Sequence, residues 1–182
     1  MLKDKFAIIC GVFHINRITE FMRTFWEKNP GAEYDLYLIH NSIEPTDIKN
    51  TYRRSEEEIQ QIKDFLLSEK EVRPEITIVD RINTGRDMGA LWHGYNLVRD
   101  KYKYYFFINE RVRIKQDNWL KLTKDAYNDP KIGAVGIQVC GGHKYPWCLR
   151  CFFWSQTNDS IKTMDWWEPK NRADAHIQEM EL

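Results

Sequence analysis

The chain has 182 residues, 42% of them hydrophobic and 14% aromatic, enough for one packed core and too apolar for a disordered segment. Its 27 basic and 27 acidic side chains cancel, so net charge asks for neither nucleic acid nor a membrane surface as partner, and any basic site must be local. No apolar run reaches the roughly 18 to 20 residues of a membrane span, and the opening MLKDKFAIICGVF is too short and strand-like for a signal peptide, so the expected location is cytoplasmic.

In chain order, KFAIICGVF predicts a strand ending near Gly11 and buried on both faces, with Cys10 as a buried thiol. NRITEFMRTFWEKNPG then places Ile18, Phe21, Met22 and Phe25 at i, i+3, i+4 and i+7, an amphipathic helix stopped by Pro30-Gly31. YDLYLIHNS is a second strand with a polar tip at His40, Asn41 and Ser42. Ser55 and Glu58 have capping-box spacing and open a helix with Ile59, Ile62, Phe65 and Leu66 on one face. EITIVD is a third strand, broken by RINTGRDMGA, after which Met88, Leu91, Trp92, Tyr95 and Val98 mark one helical face. The strand YYFFI follows, then a helix in QDNWLKLTKDAYNDP, with Asp117 as the expected cap and Pro130 past its end. KIGAVGIQVC and CLRCFFWS complete the strands.

The order β-α-β-α-β-α-β-α-β-β implies an α/β fold: one domain over residues 1–182, a mainly parallel sheet with helices on both faces, and ligands bound beyond the carboxyl ends of the strands. Those ends read GVFHINR, HNS, NTGRD and NER, all polar although the strands before them are apolar. Each alone suits an ordinary turn, since Asn, Gly and Asp are turn formers. Together at one sheet edge they point to a polar ligand site. Near the C-terminus, CGGHKYPWCLRC offers Cys140, His143, Cys148 and Cys151, four soft ligands that raise a structural zinc, although the spacing matches no common finger and the flanks suit strands.

Several blocks carry a family resemblance. NTGRDMGALWHGYNLVRDKYKYYFFINERVRI resembles a stretch in which Asn-x-Gly opens a helix and a tyrosine-rich strand ends in an aspartate-rich motif. YNDPKIGAVG is similar to Asp-Pro-x-Ile-Gly-x-Val-Gly, and QEMEL to Glu-Asp-x-Glu-Leu. In this order, over nearly the whole chain, they resemble glycosyltransferases of the GT-A (Rossmann-like) fold, of the family 2 type and the related proteins of rhamnan synthesis.

The resemblance implies transfer of a sugar from a nucleotide-sugar donor to a hydroxyl of a glycan acceptor, with those two as the expected partners and no nucleic acid. It places Val12, His14, Arg17 and Asn41 at the nucleotide and Asn83, Gly85, Arg86 and Asp87 in a loop closing on it. Arg86 suits a phosphate or a hold on Asp87, and Asp87 is equally a good first-turn helix residue. Glu179 falls at the position of the catalytic base, with Glu181 as rival and a helix-dipole role as the alternative. The sequence stops at Leu182, three residues later, so the family's C-terminal helices and metal-binding histidine are expected to be missing.

The family's Asp-x-Asp is here Asn109-Glu110-Arg111. Asn109 can hydrogen-bond a ribose hydroxyl, whereas Arg111 cannot bind a cation and opposes one. Glu110 alone is a weak ligand for Mg²⁺ or Mn²⁺, so reduced or absent metal dependence is implied. Either Arg111 pairs directly with the diphosphate, or the domain is a catalytically silent nucleotide- or glycan-binding module. A zinc-stabilised interaction module is the remaining alternative. Trp166 and Trp167, flanked by acids in MDWWEP, are candidates for stacking on an acceptor sugar, while Trp154 in CFFWS suits the core.

Overall fold

In a computed structural model, residues 1–44, 54–136, 153–170 and 174 are described. Strands β1 (Lys3–Val12), β2 (Tyr34–Ile43), β3 (Thr77–Ile82), β4 (Tyr102–Asn109), β5 (Ala134–Gly136) and β6 (Phe153–Thr157) form one sheet in the order β3-β2-β1-β4-β6-β5. Pairings among β1 to β4 are parallel, and β6 runs antiparallel to both β4 and β5.

Strand alternation sorts the core into two layers. Phe6, Ile8, Cys10 and Val12 of β1 point to one face, where they meet α1 (Ile15–Glu27), α2 (Glu56–Val72) and α4 (Trp119–Ala126) through Ile18, Phe21, Ile62, Leu66 and Trp119. Ala7 and Ile9 point the other way, against Leu91 and Tyr95 of α3 (Arg86–Val98) and Ile161 of α5 (Asn158–Ile161). The apolar faces expected of the first three helices are the faces they turn inward, with Ile59, Phe65 and Trp92 only half-buried on them. Close approach of α3 to the sheet needs Gly94, where a Cβ would stand 2.5 Å from Ile9 Cγ2.

The capping box is formed: Ser55 Oγ accepts from Glu58 N at 3.1 Å and Glu58 Oε2 accepts from Ser55 N at 2.9 Å. Asp117 does not cap α4. Its carboxylate instead accepts from Asn29 N at 2.8 Å, and Asn118, at φ 60°, occupies the cap position without a side-chain bond. The turn after α1 has taken the carboxylate that the helix start would have used. Two strand boundaries also move. β3 continues through Arg81 to Ile82, and β6 runs from Phe153 to Thr157, after which Thr157 caps the short α5. Trp154 is 1% exposed and stacks on Phe107 at 4.5 Å, the core role its sequence context suggests. Cys10 is a buried free thiol.

From β1 the chain moves outward to β2 and β3, then returns through α3 to place β4 on the other side of β1. A crevice forms beyond the carboxyl ends of two parallel strands whose connections leave in opposite directions. Here that switch point lies between β1 and β4, where Gly11 pairs with Asn109. Among the described residues no helix is long and apolar enough to cross a membrane.

Candidate functional site

At the switch point, β4 ends in Asn109 and the chain continues through Glu110 and Arg111, facing Val12, Phe13 and His14 at the end of β1. Glu110 is 3% exposed and turns inward. Its carboxylate accepts the backbone N–H of Phe13 at 2.6 Å and of His14 at 2.9 Å, holding the start of α1. Burial nonetheless raises its pKa to about 7, reinforced by nearby Asp87; the two N–H bonds pull the other way and are outweighed. Asn109 is also committed: its amide donates to Asp87 Oδ2 at 3.3 Å and accepts from Arg111 N at 3.0 Å. Arg111 is exposed.

Basic groups gather at the first tip. His14 is half-buried, and its pKa is lowered to about 4, first by burial and then by Arg17, Arg54 and Arg111. The pKa identifies three guanidiniums whose fields meet at one imidazole. Arg17 Nη1 is buried with no hydrogen-bond partner among the described residues. Val12, by contrast, gives its side chain to the α1 layer and leaves only backbone at the tip.

Two arginines absent from the sequence expectations organise the second and third tips. Arg54 donates to Glu44 Oε1 at 2.8 Å and Phe13 O at 3.1 Å, also donates to Asn41 O, and lies 4.0 Å over the Phe13 ring. Arg81, 6% exposed, donates to Asn41 Oδ1 and to Thr84 Oγ1 at 2.8 Å. Asn83 Nδ2 donates to Glu44 Oε2 at 3.1 Å.

These contacts fix both amides, because Arg81 only donates and the Glu44 carboxylate, paired with Arg54, accepts. Asn41 is left with a buried donor, Nδ2, and Asn83 with a buried acceptor, Oδ1, neither partnered among the described residues; His40 Nε2 and Ser42 Oγ share that condition. Buried polar atoms are ordinarily paired, so this cluster at one sheet edge calls for partners that ordered water or a bound ligand would supply. The signal for Arg54 and Arg81 was present in the sequence only as charge at a helix start and at a strand end.

The NTGRD loop closes the edge. Gly85 sits at φ 66°, and a Cβ there would stand 2.4 Å from Pro169 O, so both conformation and space require glycine. Arg86 follows at φ 49° and opens α3, with Asp87 in its first turn beside Asn109. Trp166 stacks on Tyr95 at 5.5 Å and meets Phe107 edge-on at 5.2 Å, so it is less open than a loop position implies, whereas Trp167 is exposed. Glu179, Glu181, Cys140, His143, Cys148 and Cys151 lie outside the described residues.

The divalent cation that the sequence resemblance implies would need a set of free oxygen donors at this edge. Among the described residues no three His, Cys, Asp or Glu side chains converge. The two positions on either side of Glu110 carry an amide and a cation, and Glu110 spends its oxygens on α1. This set does not fit a hard divalent cation, which needs several free oxygen ligands.

No family model matches the chain, and no curated protein matches its sequence. Solved structures do match. The mannosyltransferase PcManGT from Pyrobaculum calidifontis, in complex with GDP-Man and Mn²⁺, is similar over 88% of this chain and 46% of its own, with TM-score 0.57 and 9% identity. A putative nucleotide-diphospho-sugar transferase from Desulfovibrio desulfuricans is similar over 97% of this chain and 75% of its own, with TM-score 0.49 and 13% identity. This chain therefore spans less than half the length of the mannosyltransferase. The likeness is one of fold: a GT-A-like α/β domain with a six-stranded sheet flanked by helices.

Proposed function

We propose that the chain is a glycosyltransferase that moves a sugar from a nucleotide-sugar donor to a hydroxyl of a glycan, with inversion and without a required divalent cation. The observation that carries this reading is the pairing of unsatisfied Asn41, Asn83 and Arg17 atoms with a basic cluster at one sheet edge. A nucleoside diphosphate has what that edge lacks: a base and ribose rich in donors and acceptors, and two phosphates to meet guanidinium groups. The fold shared with nucleotide-sugar transferases supports the same conclusion.

In this reading Asn41 and Asn83 take the nucleotide, with Arg86 and Asp87 in the closing loop. Arg111 and Arg17 stabilise the negative charge that grows on the diphosphate as its oxygen leaves the anomeric carbon. The acceptor hydroxyl attacks that carbon from the opposite face, and its proton passes to a carboxylate, assigned to Glu179. One displacement inverts the anomeric centre. Because Glu110 and Asn109 are occupied in holding α1 and Asp87, their role here is to position the β4 tip rather than to touch substrate.

Isothermal titration of nucleoside diphosphates tests the site before any chemistry is asked of it. At least one should bind, and at 100 times its Kd should stabilise the fold by about 2.7 kcal/mol. Arg17→Ala should weaken that binding about tenfold. If no nucleoside diphosphate binds at millimolar concentration, the reading fails.

A further inference from the structure

A cavity lies between α3 and the segment from α5 to Trp166. Its volume is about 130 Å³, and its lining includes Trp92, Tyr95, Trp166, Asn96, Arg99 and Lys162. A cavity of roughly this size accommodates one six-membered ring. Along α3, Tyr95 is nine residues from Arg86, or about 14 Å at the helical rise, too far for the reacting hydroxyl.

We propose that this cavity is a subsite for an acidic sugar: it binds a pyranose bearing a carboxylate, as part of the acceptor glycan at a distance from the bond being made. The claim rests on the glycosyltransferase reading for its choice of a sugar, and on the lining for its charge. Trp92 and Trp166 are half-buried, and indole surfaces pack against the C–H face of a pyranose. The charged members of the lining are Arg99 and Lys162, with no acid among them. Both cations pair with one carboxylate, Asp100, at 3.8 and 2.6 Å, which leaves the rim with an excess of one positive charge. Asn96 donates its amide N–H to Trp92 O at 2.9 Å, so its oxygen is oriented by that bond and can accept from a sugar hydroxyl. The same chain segment that supplies Trp166 reaches the donor loop three residues later, where Pro169 packs on Gly85.

The test is an NMR titration of tryptophan indole N–H signals, assigned with Trp92→Phe, using methyl glucuronide, methyl glucoside and benzoate as separate probes. Methyl glucuronide should shift the Trp92 and Trp166 signals and saturate in the millimolar range. Arg99→Gln and Lys162→Gln, both at exposed positions and so harmless to folding, should each weaken it about fivefold or more. Equal binding of the glucoside would overturn the charge requirement, preferential binding of benzoate would overturn the sugar, and no shift at these indoles would overturn the subsite. A nucleoside diphosphate titrated into the same sample keeps the two readings apart. Nucleotide binding without glucuronide binding removes the subsite alone, and glucuronide binding without nucleotide binding removes the donor site while supporting the subsite.

Discussion

Arg111 and Glu110 are neighbours with opposite fates, one exposed beside the crevice and the other buried beneath it. Replacing Arg111 with Ala should leave stability within about 0.5 kcal/mol, since surface substitutions seldom cost more. The same change should slow release of nucleoside diphosphate from the donor about 10- to 100-fold, the worth of a hydrogen bond to a charged group. Unchanged stability with unchanged turnover would exclude the residue from the site.

Glu110 titrates at about 7 against an ordinary 4.5, so its contribution to stability is full below about 4.5 and is lost as pH rises through about 7. His14 and His40, lowered from 6.5 to about 4, act in the other direction: their contribution is present above 6.5 and is lost as pH falls toward 4. Glu110→Gln removes the first effect and keeps the second. Urea unfolding of that variant should show a steeper loss of stability between pH 6.5 and 4.5 than the parent, and parallel curves would contradict the burial of the charge.

At the scale of elements, α3 runs from the NTGRD loop to the cavity beside α5 and rests on the sheet at Gly94. Gly94→Ala sets a methyl group 2.5 Å from Ile9 and 2.9 Å from Ile39, so overpacking of about 1–3 kcal/mol should appear in urea unfolding. Tolerance of alanine would mean that α3 can lift from the sheet. Ser55→Ala should cost about 1 kcal/mol through loss of the α2 cap, measured the same way.

Elements of this kind were legible in the sequence because each depends on local periodicity: Ile18, Phe21, Met22 and Phe25 are one face wherever the helix lies. The candidate site was legible only in part. Asn41, Asn83 and Arg111 stand out as polar residues after apolar strands, but Arg54 and Arg81 act through Phe13 and Asn41, 40 or so positions away in sequence, and no local pattern carries that information. Asp117 shows the same limit at a helix end, since its competing partner, Asn29, lies 88 positions earlier.

For the molecule as a whole, the parallel half of the sheet brings four strand ends to one edge, and the return through α3 opens the crevice between β1 and β4. A cationic, incompletely hydrogen-bonded edge of this kind suits an anionic, polar ligand, and in the proposed function Arg111 would give a diphosphate a permanent positive partner in place of an exchangeable one. The decisive measurement is release of nucleoside diphosphate from a panel of nucleotide sugars, run with EDTA and with added Mn²⁺, for the parent chain and for Arg111→Ala. Release that persists in EDTA and falls at least tenfold in the variant is the predicted result. Release that requires Mn²⁺, or that is indifferent to the loss of Arg111, would contradict it.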